Sequence, residues 1–211
     1  MCAHIEALNG WLKRRTGCRE HAADLIVGAD GAPDTEILDR SASLYGGYGL
    51  RRVYYSAFSP IPDSPGSVPL AAPPLLREHR LYQADFLLRG YGYKAGELLG
   101  HSGNLALDID PKLAWALANR EVFPLDVNRA EPALLARIPG IGLRSVQRLV
   151  ALRRERRIRY DDLIQLRCVL DKARPFIVTS DYRPAQAELR SGLLRERLRE
   201  PQAPVQMGLW G

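Results

Sequence analysis

Apolar residues along the chain switch between two periods, and the switches mark its elements. In residues 4–16, HIEALNGWLKRRT, Ile5, Leu8 and Leu12 share one helical face with the charges elsewhere, which predicts an amphipathic helix. The apolar run Leu25 to Val27 stops at Gly28 and enters a loop with a second glycine and a proline, the pattern of a buried strand and its exit. Residues 34–48, DTEILDRSASLYGGY, offer Asp34 as N-cap before Ile37, Leu38, Leu44 and Tyr45, and predict a helix that frays at Gly46-Gly47. The β-branched and aromatic run RRVYYSAF predicts a second strand, ended by the proline-rich loop SPIPDSPGSVPLAAPP. Strand, helix and strand in this order predict a parallel crossover. Two parallel strands do not make a domain, so the unit reads as a piece of a larger α/β structure.

After the loop, PLLREHRLYQADFLLRGY carries Leu75, Leu76, Leu81, Tyr82, Phe86 and Leu87 in a helical stripe that ends at Gly90. Residues 94–104 predict a short helix and turn. Asp110 as N-cap with Pro111 at the first helical position starts another helix. From PLDVNRAEPALLARIPGIG onward the pattern is helical with short turns, and the tail from about Pro201 is expected to be disordered. The whole chain is therefore expected to be mostly helical.

Composition adds a class and a bias. With 46% hydrophobic and 26% charged residues and no apolar run of membrane-spanning length, the chain reads as a soluble globular protein with no membrane partner. The start MCAHIEALNGWLKRR lacks a signal-peptide pattern, so a cytoplasmic protein is expected. Cys2, Cys18 and Cys168 are too scattered for a disulfide framework or a C-x-x-C cluster. The net charge of +6 is uneven: residues 129–199 hold seventeen Lys and Arg against eight Asp and Glu, whereas acids outnumber bases before them. A local basic excess of this kind concentrates polyanions.

That excess centres on RIPGIGLRSVQRLVALRRERR, residues 137–157. A short helix carrying Leu134, Leu135 and Ile138 ends at Pro139 and Gly140. Gly142 then precedes a helix with Val146, Leu149 and Val150 on one face and Arg144, Arg148, Arg153 and Arg154 elsewhere. Two glycines flanking Ile141 are expected to let the backbone turn sharply while Ile141 plugs the hairpin. The unpaired N–H groups at the following helix start, with the positive end of its dipole, suit a phosphate oxygen.

IPGIG resembles the helix-hairpin-helix motif of DNA repair and DNA uptake proteins, which holds the sugar-phosphate backbone without reading sequence. The resemblance implies DNA contacts by Gly140, Ile141, Gly142, Arg144, Ser145 and Arg148. The stretch from VNRAEPALLARIPGIG through YDDLIQLRCVLDKARPFI is similar to the tandem form of that module. Its second copy has Arg167-Cys168-Val169-Leu170 in place of a glycine turn and is expected to pack rather than bind.

A wider similarity runs from about His21 to Arg183. IVGADGAPDTEIL, LYGGYGLRRVYYSAFSPIPDSP, LREHRLYQADFLLRGYGY, DIDPKLAWAL, FPLDVNRA and KARPFIV together resemble the C-terminal half of the DNA modification/repair radical SAM proteins. The resemblance implies an α/β fragment, the last strands of a partial (β/α) radical SAM barrel, followed by an all-α helix-hairpin-helix domain. It implies boundaries at residues 1–75 for the barrel part, 76–125 for a helical linker, 126–183 for the DNA-binding module and 184–211 for a partly disordered tail. A complete family member holds S-adenosylmethionine and a [4Fe-4S] cluster. Gly28, Ala29, Asp30 and Gly31 would line the adenine pocket, with Ser56, Phe58, Ser59 and Pro60 beside it. Ala32 stands where the wider superfamily often has a glutamate. The C-x-x-x-C-x-x-C motif that ligates the cluster is absent, so no cofactor is expected in this chain alone. A truncated or split family member follows, inactive by itself.

The remaining chemistry-bearing residues point elsewhere. His4, His21, His79 and His101 are dispersed, and Asp108 with Asp110 reads as a turn and a helix cap rather than a cation site. No P-loop or G-x-S-x-G motif occurs. Three readings stay open: a DNA-binding C-terminal portion of such a protein, a subunit completing a radical SAM barrel begun by another chain, and a non-catalytic basic module for an acidic protein.

Overall fold

The structure is a computed structural model that describes residues 22–60, 71–100 and 103–199. The helix expected over residues 4–16, Cys2, Cys18, His4, His21, His101, most of the proline-rich loop and the tail beyond residue 199 lie outside the described residues. Strand β1 (Ala22–Val27) leads through helix α1 (Asp34–Tyr48) to β2 (Arg52–Ala57), and the two strands pair in parallel with Leu25 opposite Tyr55 and Val27 opposite Ala57. Helix α2 (Leu75–Tyr91), the short α3 (Ala95–Leu98) and α4 (Pro111–Ala118) follow. The chain is mostly helical, as expected. Among the described residues no helix is long and apolar enough to cross a membrane.

Helix α1 departs from its expected ends. Pro33 is the N-cap, and Asp34 is the first helical residue. The Asp34 carboxylate is buried, accepting from Arg77 Nε at 2.7 Å and from the Leu105 N–H at 2.9 Å, while its own N–H donates to Asn104 Oδ1 at 3.0 Å. One side chain thus ties α1 to α2 and to the loop ahead of α4. At the other end the helix runs through Gly46 and Gly47 to Tyr48 and is closed by Gly49 at φ 64°. Asp110 and Pro111 cap α4 as expected, with the Leu113 N–H donating to Asp110 Oδ1 at 2.8 Å.

The two edges of the small sheet differ. In β2 the outward N–H groups all donate to side chains: Val53 to the Tyr45 hydroxyl, Tyr55 to the Tyr82 hydroxyl and Ala57 to Glu78 Oε2, each at 3.0 Å. The Phe58 N–H extends the inner ladder to the Val27 carbonyl at 2.9 Å, which sets Asp24 and Ile26 facing away from β2. Their backbone groups have no partner among the described residues. Edge N–H and C=O groups left open in this way are a template for another strand.

The C-terminal half is a pair of hairpins. Helices α5 (Pro132–Leu135) and α6 (Leu143–Glu155) form the first, α7 (Tyr160–Gln165) and α8 (Leu170–Ala173) the second. Two short strands that the periodicity did not predict, β3 (Leu125–Asp126) and β4 (Ile177–Val178), pair in parallel and close the ends of this segment. Helices α9 (Gln186–Arg190) and α10 (Leu194–Arg197) continue the chain, burying Leu189, Leu194 and Leu198. The part of the expected tail from residue 184 to 199 thus packs on the core through two short helices.

A single buried cluster runs from Val27 through Leu81, Leu113 and Leu149 to Leu198. Within it α2 lies along β2, and α3 and α4 pack on α2.

Candidate nucleic-acid interface

The first hairpin turns on one glycine rather than two. Gly140 has φ 79°, and a Cβ there would sit 2.3 Å from the Val169 carbonyl oxygen. Its own carbonyl accepts the Val169 N–H at 2.9 Å, so the two turns meet backbone to backbone. Gly142, the N-cap of α6, has an ordinary φ of −87°, and a Cβ there would meet nothing nearer than the Tyr91 hydroxyl at 3.8 Å. Neither conformation nor packing asks for glycine at 142. The lack of a side chain there instead leaves the helix start bare. The N–H groups of Gly142, Leu143 and Arg144 have no acceptor among the described residues, as the first turn of a helix dictates.

The six hairpin residues singled out from sequence divide by role. Ile141 is buried and plugs the hairpin as expected, and Arg144 and Arg148 are exposed without a partner among the described residues. Ser145 is a correction: it is buried, and its hydroxyl donates to the Leu166 carbonyl at 2.8 Å, holding the second turn instead of facing a ligand. The second turn places Arg167 at φ 58°, the left-handed conformation that Gly140 supplies in the first. It packs, as expected, and does so by gripping Gly140.

Several arginines of the basic stretch are committed to partners within the fold. Arg137 lies 4.3 Å over the Tyr93 ring and 4.6 Å over Trp115, with Glu97 at 3.0 Å. Burial raises the Glu97 carboxyl, and the Arg137 hydrogen bonds overcome this and hold it below its ordinary value. Arg153 donates to the Ala130 carbonyl at 2.6 Å, and Arg156 forms a fork to Asp162 at 2.6 and 2.8 Å. Arg154 and Arg157 join Arg144 and Arg148 as exposed cations.

Lys112 escaped the sequence reading. Its ammonium donates to the Ile141 carbonyl at 2.6 Å and lies 4.7 Å over the Tyr91 ring. The neighbouring Asp110 is paired with Lys172 at 2.8 Å. Burial pushes the Lys112 amine down to about 7, with Asp110 and Cys168 acting the other way. Nothing in periodicity marks such a residue, because it sits on the inward side of a well-capped helix. Asp108 pairs with Arg195 at 2.6 Å, so the two aspartates serve separate ion pairs.

The residues implied for S-adenosylmethionine do come together, at the C-terminal ends of paired β1 and β2. Several of their groups are engaged within the fold. Gly28, at φ 85°, is covered by Pro73, whose Cγ lies 2.8 Å from the place of a Cβ. Asp30 Oδ1 accepts the Ala32 N–H at 3.1 Å, and the Ser56 hydroxyl donates to Asp24 at 2.9 Å. Ala29 and Gly31 lie in the same turn, and Phe58, Ser59 and Pro60 continue β2 outward. Among the described residues no group of three His, Cys, Asp or Glu side chains is placed to hold a metal ion. Comparison of the chain with protein-family models, curated proteins and solved structures returned no match.

The two glycines separate in a stability measurement. Gly140→Ala is expected to cost about 3 kcal/mol or more, from left-handed strain and the collision with Val169. Gly142→Ala should cost less than about 1 kcal/mol. Equal urea midpoints for the two variants would contradict the assignment. Lys112 should add a pH dependence. Its folded-state value lies below the lysine value of the unfolded chain, so between pH 7 and about 10 the unfolded chain binds more protons. Stability from this group therefore rises with pH across that window, by at most about 1.4 kcal/mol per pH unit. Lys112→Met should flatten that slope, and a wild-type slope retained in the variant would place its origin elsewhere.

Proposed function

We propose that this chain binds the DNA backbone through the start of α6, without reading sequence. The observation that carries the reading is Gly142, a glycine that neither the fold nor the turn requires, placed where three N–H groups have no acceptor among the described residues and two exposed arginines follow. A phosphate oxygen accepts from such N–H groups and is favoured by the helix dipole. Arg144 and Arg148 add charge-assisted contacts to neighbouring phosphates. This agrees with the resemblance of IPGIG to helix-hairpin-helix proteins and with the basic excess after residue 128. Because Ile141 is buried and Ser145 is engaged with Leu166, the contact falls to backbone N–H groups and arginines alone.

A second reading rests on the sheet edges. The sealed edge of β2, and a β1 edge without partners among the described residues, suit the closing end of a larger parallel sheet, as a DNA modification/repair radical SAM barrel would place it. In that reading another chain supplies the preceding strands and the cluster cysteines, and the iron-sulfur cluster and S-adenosylmethionine belong to the assembled pair.

The first reading is tested by fluorescence anisotropy with blunt duplexes of unrelated sequence at about 100 mM salt. Gly142→Val and Arg144→Glu should each weaken binding about tenfold or more, equally for every sequence, with a shallower salt slope for Arg144→Glu. Unchanged affinity in both variants would overturn it. The second is tested by anaerobic purification from the cells of origin: a stable pair with a C-x-x-x-C-x-x-C chain and bound iron is expected, and an iron-free single chain would contradict it.

A further inference from the structure

Helix α2 presents Leu75, His79, Tyr82 and Phe86 at intervals of four, three and four residues, so one outward face carries all four. Tyr82 has a structural reason to be there: its hydroxyl closes the β2 edge and its ring meets Tyr55 edge-on at 5.2 Å. Phe86 has none of that kind. It has no polar handle, is 54% exposed, and touches the Tyr91 ring at 5.6 Å.

From Phe86 the surface leads directly to the hairpin. The Tyr91 hydroxyl lies 3.8 Å from the place a Cβ on Gly142 would take, and a Cβ on Gly90 would lie 3.7 Å from Leu143 Cδ1. The C-terminal end of the aromatic face thus lies near the start of α6. The carboxylates nearest to it on α2 are turned into the fold: Glu78 accepts from Ala57, and buried Asp85 accepts from Tyr45 at 2.5 Å and Arg89 at 2.9 Å. A polyanion at the start of α6 therefore has exposed arginines along that helix and, beyond Tyr91, the aromatic face of α2.

We infer that Phe86, flanked by Tyr82, is a stacking platform for an unpaired base of the same DNA strand whose phosphates are held at Gly142 to Arg144. The inference rests on the DNA-binding reading and narrows its ligand. Bases inside a duplex are stacked on each other and present no face to a side chain, so the platform selects DNA with a junction between duplex and single strand. An aromatic ring accepts any base, which keeps the contact sequence-independent. Continuity with the hairpin and the charge pattern favour this occupant over an apolar protein segment.

The test compares a blunt duplex with the same duplex extended by a single-stranded overhang, on the 3′ side and then on the 5′ side, using fluorescence anisotropy. Wild-type protein should prefer one overhang over the blunt duplex by about tenfold, the size of one base–aromatic stack. Phe86→Ala should abolish most of that preference and leave blunt-duplex affinity unchanged, and Phe86→Trp should keep it. A 2-aminopurine at the first unpaired position should change fluorescence with wild-type protein and not with Phe86→Ala. Because Phe86 is exposed, a matching thermal melt verifies that each variant folds. If overhangs bind no better than the blunt duplex, or if Phe86→Ala keeps the preference, while Arg144→Glu still weakens binding, the platform is wrong and the hairpin reading stands. If no DNA binds, both fail.

Discussion

The C-terminal half depends on a contact between two backbones. Gly140 and Val169 approach so closely that no side chain fits between them, and the Val169 N–H closes the gap with a hydrogen bond to the Gly140 carbonyl. Around that point Ser145 reaches from the first hairpin to the Leu166 carbonyl of the second, and the β3–β4 pair joins the flanking ends. Lys112 supports the Ile141 carbonyl from the side of α4. The turn is therefore set in place before any ligand arrives. Its free N–H groups keep a fixed geometry, and fixing a site in advance lowers the entropy lost on binding.

Charge is distributed to the same end. Arg137, Arg153 and Arg156 are spent on the fold: one stacks between aromatic rings beside Glu97, one reaches a carbonyl, and one pairs with Asp162. Arg144, Arg148, Arg154 and Arg157 are left to solvent. Exposed ion pairs contribute little to stability, about 0–1 kcal/mol, so unpaired surface arginines cost the fold little and raise the local positive potential. The outward aromatic face of α2 leads through the Phe86–Tyr91 ring contact toward the start of α6, where the Tyr91 hydroxyl lies near Gly142.

Much of this was legible in the chain because the signals were local. The parallel pair β1–β2, the cap at Asp110 and the plug at Ile141 followed from period, capping chemistry and turn residues. Asp34 resembled an N-cap because aspartate before an apolar stripe usually is one; here long-range partners, Arg77 and Leu105, claim the carboxylate. The two glycines around Ile141 looked alike in sequence and differ in space, since the second hairpin that crowds Gly140 is distant along the chain. Ser145 and Lys112 act across the same long range. Periodicity carries no such information, and neither does it reveal β3 and β4, which are too short to show a period.

The proposed function stands on phosphate being held at the start of α6. The most direct measurement is the amide nitrogen–proton NMR spectrum during titration with a short blunt duplex. The Gly142, Leu143 and Arg144 amides should shift first and furthest, and identically for duplexes of different sequence. Those amides remaining unmoved while others respond, or shifts that depend on base sequence, would contradict it.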